Sequence, residues 1–292
     1  MRAKNRYVLF FVLPAVVLLL IFVVYPVIKT VLLSFLDSDG HYVGLKNYVT
    51  VLKSKEIFDL RGFSRGFPLG ALVHNLLWIA IHLPSTIILG LSLSVLLRNV
   101  KGGSIIKSIV FLGMVMPMIV GGVMINFMFD RNLGIVNGFL SIFGVQTKTW
   151  TAHPDSALLS LIFGSVWLWT GFSVILYSAG LETIPRDYYE AAQLDGAGPW
   201  KVFTKITVPL LRPVTIVVIT MTLLWELKVF DIVYVATMGG PGGASNVLAL
   251  QMYTYAFRAL DFNRSAVVAV ILTLSTLGVG LSLLRSVKDD QT

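Results

Sequence analysis

Glu226, Lys228 and Asp231 interrupt an otherwise apolar run over 208–236, and they are the side chains best placed to do chemistry in this sequence. A carboxylate accepts paired hydroxyl bonds and an indole face stacks on C–H faces, so Glu226, with Trp225 beside it and Thr222 one turn away, could contact a sugar. Lys228 and Asp231 are three residues apart, a spacing that suits an ion pair on one helix face or across to a neighbour. Trp169 and Ser173, with Trp167, Gly171 and Phe172, make a second aromatic and hydroxyl group, which reads equally as sugar stacking or as an interfacial belt. Gly171 would permit close helix packing or a kink, and Asn126 and His82 read as interhelical hydrogen bonds.

Enzyme chemistry finds little support. The four histidines, His41, His74, His82 and His153, lack HExxH spacing, no GxSxG or phosphate-cradling Gly-Lys-Ser/Thr motif occurs, and there is no cysteine to act as nucleophile or metal ligand. No metal site is expected. The net charge of +8 could suggest nucleic acid, but the basic residues are not interleaved with aromatics on a soluble face, so nucleic acid is not an expected partner. The Asn263-Arg264-Ser265 triplet reads as accidental.

The elements that must hold these groups are apolar helices. Hydrophobic residues make up 56% of the 292 and charged residues only 13%, a balance foreign to a soluble domain of this length. A bilayer core about 30 Å thick needs roughly 20 apolar residues per helix. Six such runs occur, at about 7–35, 71–97, 105–129, 157–181, 208–236 and 265–284. The expected fold is therefore an all-α integral membrane protein of six transmembrane helices in one domain, with the lipid bilayer as its surroundings. Arg2, Lys4 and Arg6 precede the first run as in a signal peptide. That run is too long for a signal core, however, and Val24-Tyr25-Pro26-Val27 offers no cleavage site.

Lys and Arg are retained on the cytoplasmic side. They cluster at Arg2, Lys4 and Arg6, at Arg98, Lys101 and Lys107, at Arg186, Lys201, Lys205 and Arg212, and at Arg285 and Lys288, so both termini are expected inside. The outer segments 37–70 and 130–156 are expected to be folded loops with short helices, among them Leu45-Lys46-Asn47-Tyr48-Val49.

The inner loop 182–207, between the fourth and fifth helices, carries its own signals. Pro185 suits a first helical turn and Gly196 the left-handed stop, which predicts a helix from about Pro185 to Asp195. Pro199 opens a second, with Trp200, Phe203 and Ile206 on one apolar stripe and Pro209 ending it. Such a loop could rest on lipid. Ala191 and Ala192 instead offer a surface for close approach by another protein, and Asp187 with Glu190 presents acid where a lipid-facing helix normally presents base.

The pattern Glu190, Ala191, Ala192, Gly196, Ile206, Pro209 resembles the cytoplasmic EAA signature loop of ABC importer permeases, departing in Val208 where that family usually has Leu. Thr237-Met238-Gly239-Gly240-Pro241-Gly242-Gly243-Ala244-Ser245, Gly134-Ile135-Val136-Asn137, Tyr25-Pro26, Ser34-Phe35 and Gly44-Leu45-Lys46-Asn47-Tyr48 are similar to the maltose-type branch that imports carbohydrates. The Gly-Gly-Pro stretch resembles that of the larger of the two permeases in the maltose system.

The resemblance implies a cell-membrane assembly with a second homologous permease, two ATPase subunits and an extracytoplasmic solute-binding protein. ATP and Mg would be bound by the ATPases and no cofactor by this chain. Coupling would fall to Glu190, Ala191, Ala192, Asp195, Gly196, Ile206 and Pro209, and substrate contact to the fifth span. Alternatives are the same machinery carrying a polyol, glycerol phosphate or another small polar solute, an ion-coupled secondary transporter relaying through Glu226, Lys228 and Asp231, and a scaffold with no pathway. Glu226 argues against an anionic cargo.

Overall fold

The protein is seen here as a computed structural model that describes residues 2–59 and 61–289. The side chains of 2–9, Phe63 and 284–289 lie outside that description, and with them Arg2, Lys4, Arg6, Arg285 and Lys288. Among the described residues there are helices, turns and one isolated bridge, and no strand.

Helices α1 (Arg2–Leu19) and α2 (Tyr25–Leu33) run together through a wide turn over Leu20–Val24. Pro26 has no N–H to donate, and the wide turn, in which Tyr25 N–H reaches Leu20 O, carries the rod past it. Phe10–Leu33 has a mean hydropathy of 2.9, with none of its most apolar stretch covered by the rest of the chain. The end of α2 is closed by two side-chain amides. Asn47 Nδ2 donates to Ser34 O and Leu36 O, and Asn263 Nδ2 donates to Leu33 O and Leu36 O, taking up carbonyls that a helix terminus leaves over. The segment 37–70 then forms α3 (Lys46–Leu52) and α4 (Gly62–Arg65).

The next long helix is α5 (Ala71–Leu96). The expected span 105–129 is instead two helices, α6 (Gly103–Val115) and α7 (Met118–Met128), bent by 107° at Met116 and Pro117. The residue before a proline is driven out of the helical region, and Met116 is extended with ψ 139°. From within α8 (Ile135–Ser141), Asn137 secures the loop 130–156: its Nδ2 donates to Asp130 O and Lys148 O while Trp150 Nε1 donates to its Oδ1.

Helix α9 (Ala157–Thr183) is the centre of the bundle, with 72% of its apolar window buried. Tails as apolar as leucine give helices no solvent drive to associate, so close backbone approach at small residues does the work. A Cβ on Gly171 would stand 2.8 Å from Phe111 Cα, so this glycine serves close packing in an unbroken helix rather than a kink. Across α5, Ser94 Oγ donates to Val174 O at 2.9 Å.

Loop 182–207 and the segment after it follow as α10 (Arg186–Leu194), α11 (Pro199–Val202), a wide turn over Phe203–Thr207 and α12 (Val208–Leu210). Pro209 lies in the first turn of α12 and does not end the segment as expected, because the wide turn ahead of it absorbs its missing donor. A 66° bend at Leu211 leads into α13 (Arg212–Glu226). The expected fifth run 208–236 is thus broken, since the chain leaves the helix after Glu226 and resumes as α14 (Asp231–Ala236). It continues through α15 (Leu248–Tyr253) and a third wide turn over Thr254–Arg258 to α16 (Phe262–Asp289). Four stretches, Phe10–Leu33, Ala71–Leu96, Ala157–Thr183 and Phe262–Leu283, are long and apolar enough to cross a membrane alone, and counting each bent pair as one span gives up to six.

Candidate functional site

The break between α13 and α14 opens a cavity of about 310 Å³ against α6, α7 and α9. Trp169, Trp225, Lys228 and Asp231 line it together with apolar residues such as Met118 and Ile232. Four of the residues singled out from the sequence therefore converge, two indoles and two opposite charges. The indoles meet edge to face at 6.0 Å, and Phe172 backs Trp225 at 4.9 Å. A volume of a few hundred cubic ångströms with mostly apolar walls and a few polar groups is what a small-molecule site requires.

The expected Lys228–Asp231 ion pair is absent among the described residues. Its physical basis was a continuous helix, and the chain unwinds between the two: Lys228 sits in the turn closing α13, and Asp231 starts α14. Both charges are left to face the cavity. Glu226, Thr222 and Ser173 do not line it. Glu226 and Thr222 are each 1% exposed, and Ser173 is packed against Gly90 on α5.

Glu226 is held from behind. Its Oε1 lies 2.7 Å from His82 Nδ1, and both side chains are buried. Asn75 Nδ2 donates to the Glu226 carbonyl at 3.2 Å, and Asn75 Oδ1 accepts from Leu248 N–H at 2.8 Å. The reading of His82 as an interhelical hydrogen-bonder is met, with its ring also edge-on to Trp169 at 5.4 Å. Asn126 is likewise bonded, accepting from Thr151 Oγ1. Asn75 was missed. The signal available was its spacing from Trp78 and His82, which puts all three on one face of α5.

At the other end of α9 the signature loop has the geometry its residues imply. Pro185 stands at the N-cap of α10, and Gly196 takes φ +70°. Ala197 N–H donates to Ala192 O and Gly196 N–H to Gln193 O, the paired bonds that close a helix through a left-handed residue. Glu190, Asp187 and Ala191 are exposed, whereas Ala192 is buried beneath its own chain and so offers no open face. Ala191, Ala192, Asp195 and Ile206 share the wall of one surface depression, with Gly196 at its rim in sequence and Pro209 exposed beyond it. Trp200 is 74% exposed, its ring on Phe203 at 5.6 Å. Within the loop the Tyr189 hydroxyl meets Thr207 Oγ1 at 3.4 Å, and the Arg98 guanidinium, 5.2 Å from the Tyr189 ring centre, ties the loop to the chain just after α5.

The chain with this cavity at a helix break and this two-helix loop at one end has membrane transport subunits, not enzymes, as its relatives. The chain belongs to the binding-protein-dependent transport system inner membrane component family, which matches residues 86–289. It is 55% identical over 287 residues to a probable ABC transporter permease protein of Pyrococcus horikoshii, covering 97% of this chain and 98% of that one. It is 33% identical to the trehalose/maltose transport system permease protein of Thermococcus litoralis, over 92% of this chain and 89% of the relative. A crystal structure of a bacterial ABC transporter that imports the acidic polysaccharide alginate contains a chain of the same fold. The TM-score is 0.78 at 22% identity, over 97% of this chain and 96% of that one.

Proposed function

We propose that this chain is a permease subunit of an ATP-driven sugar importer, pairing in the cell membrane with a second homologous permease, two ATPase subunits and an extracytoplasmic solute-binding protein. The observation that carries the cargo reading is the cavity at the α13–α14 break, whose wall combines two indoles with one ammonium and one carboxylate. Sugar hydroxyls can accept from Lys228 and donate to Asp231 while a C–H face rests on Trp225 or Trp169. Those two charges cancel, which favours a neutral cargo. The earlier objection to an anion, resting on Glu226, does not apply, because that carboxylate is turned away from the cavity. The names of relatives support a sugar: trehalose/maltose in Thermococcus litoralis and lactose in Rhizobium radiobacter. A relative in Synechocystis named for uptake of osmoprotective compounds favours a second reading, another small polar solute on the same machinery.

In this reading α6 with α7 counts as one span and the stretch 208–236 as another, giving six with the four long helices, and both termini and loop 182–207 lie on the cytoplasmic side, as the Lys and Arg clusters favour. α10 is the coupling helix. Glu190, Ala191, Asp195 and Gly196 engage a partner ATPase, with Ala192, Ile206 and Pro209 supporting the loop from within. A physical link to the cavity follows from one apolar cluster, in which Ile184 at the loop packs with Tyr177 and Leu181 of α9 and with Leu211 and Val218 at and within α13. α13 is a rod of 15 residues, about 22 Å long at 1.5 Å per residue, so a tilt applied at Leu211 is delivered to Trp225 at its far end. ATP and Mg stay on the ATPases. The test is solute uptake into proteoliposomes. Uptake that requires the whole assembly and ATP supports the reading, and uptake by this chain alone down an ion gradient would overturn it in favour of a secondary transporter.

A further inference from the structure

One face of α5, carrying Asn75, Trp78 and His82, is buried against the point where span five breaks, and everything it bonds lies at the two ends of the excursion that follows. His82 takes the side chain of Glu226, the last residue of α13, and Asn75 takes its carbonyl. Asn75 then receives the first N–H of α15 at Leu248. The neighbouring His74 closes the same end: Nε2 accepts Leu69 N–H at 3.0 Å, so Nδ1 carries the proton and donates to Asn246 O at 2.7 Å. Helix ends leave backbone groups without partners, and here a separate helix supplies them. Between the held ends lie Lys228 and Asp231, and immediately before them Trp225, which are three of the cavity's four polar or indole walls.

We propose that His82, with Asn75, is a positioning clamp: by gripping Glu226 it fixes the rotation at which α13 stops, and so the angle at which Trp225, Lys228 and Asp231 meet the cargo. Glu226 is thereby a positioning residue that does not touch cargo. The inference rests on the cavity being the cargo site. Its part in the clamp is geometric: one carboxylate oxygen, Oε1, is held 2.7 Å from His82 Nδ1. An amide at 226 retains the acceptor oxygen and should therefore retain the grip.

The test is a double-mutant cycle in the assembled transporter, reading the sugar concentration that half-maximally stimulates ATP hydrolysis, the maximal rate and the thermal midpoint. His82→Ala and Glu226→Ala are each expected to raise the half-saturating concentration about tenfold with maximal rate little changed, and the double variant no further, because both remove one shared contact. Glu226→Gln should stay near wild type. Lower thermal midpoints with an unmoved half-saturating concentration would overturn the proposal, as would Glu226→Gln behaving like Glu226→Ala. Since the chain has no cysteine, Lys228→Cys provides a reporter that needs no cargo. Its maleimide labelling rate, read on this chain, should change about threefold or more when His82→Ala is added and hold with Glu226→Gln. If no sugar stimulates the wild type, the cargo reading fails while the labelling still decides the clamp: a rate unmoved by His82→Ala rejects it.

Discussion

Gly90 on α5 stands directly against Ser173 on α9, so that a Cβ at position 90 would collide with that of Ser173. At this seam the two helices approach closely, and Ser173 is buried in it and does not line the cavity. Gly90→Val should force the helices apart and destabilise the chain by about 1–3 kcal/mol, the usual cost of overpacking. Ser173→Ala should leave sugar-stimulated ATP hydrolysis unchanged. Thermal unfolding of the purified complex checks the first, and a dose–response curve the second.

At the opposite end of α9, Gly196 combines φ +70° with an N–H that donates to Gln193 O. Proline can supply neither. Gly196→Pro should reduce ATP-dependent uptake at least about tenfold while the protein still inserts, because the defect is confined to the end of α10. Gly196→Ala, whose strain is about 1–2 kcal/mol, should fall between. Uptake into vesicles, normalised to the amount of membrane-inserted protein, distinguishes the three.

Trp225 lines the cavity beside the break, and stacking on an indole adds roughly 0.5–1.5 kcal/mol beyond area. Trp225→Ala should raise the half-saturating sugar concentration about threefold to tenfold or more with Trp225→Phe intermediate. Thr222→Ala, a change behind the wall, should do neither.

Lys228 and Asp231 face one cavity without bonding to each other. Exchanging them, Lys228→Asp with Asp231→Lys, should not rescue the loss caused by either change alone. Full rescue in the uptake assay would mean that the two are partners after all.

The loop 130–156 offers a pH-dependent contact of small size. Lys148 Nζ donates to Asp155 Oδ2 at 2.8 Å and holds that carboxyl below its ordinary value of 3.8. A depressed pKa contributes stability above the unfolded value, which is lost as the pH falls through the folded one, so the contact weakens only below about pH 4. Asp155 is 72% exposed, so Asp155→Asn should cost no more than about 0.2–1 kcal/mol near neutrality and nothing in strong acid. Melting curves at the two pH values give the comparison.

What the sequence disclosed follows from how far each signal reaches along the chain. Length and apolarity locate the long helices because a span is a local property, and 71–97 and 157–181 fall within two residues of Ala71–Leu96 and Ala157–Thr183. The bend at Met116 was legible in Pro117, through the restriction on the residue before a proline, but the unbroken apolar run over 105–129 hid it. The break after Glu226 has neither proline nor glycine to announce it. Its sequence trace is three charges in an apolar run, which a continuous helix explained equally well by pairing Lys228 with Asp231. The bond between His82 and Glu226 joins positions 144 apart, and no periodicity along one helix reports a partner on another. Loop 182–207 was the most readable part, since Pro185 and Gly196 act through their own backbone restrictions, within a turn of where they stand.

The most direct test is ATP hydrolysis by the reconstituted assembly of this chain, its partner permease and the ATPases, with and without the binding protein, across mono-, di- and oligosaccharides. A neutral sugar that stimulates hydrolysis only with the binding protein present, with Trp225→Ala shifting its half-saturating concentration upward, is the predicted result. Hydrolysis indifferent to every sugar but stimulated by a charged solute, or stimulation untouched by Trp225→Ala, would contradict the assignment of the cavity at the α13–α14 break as a sugar site.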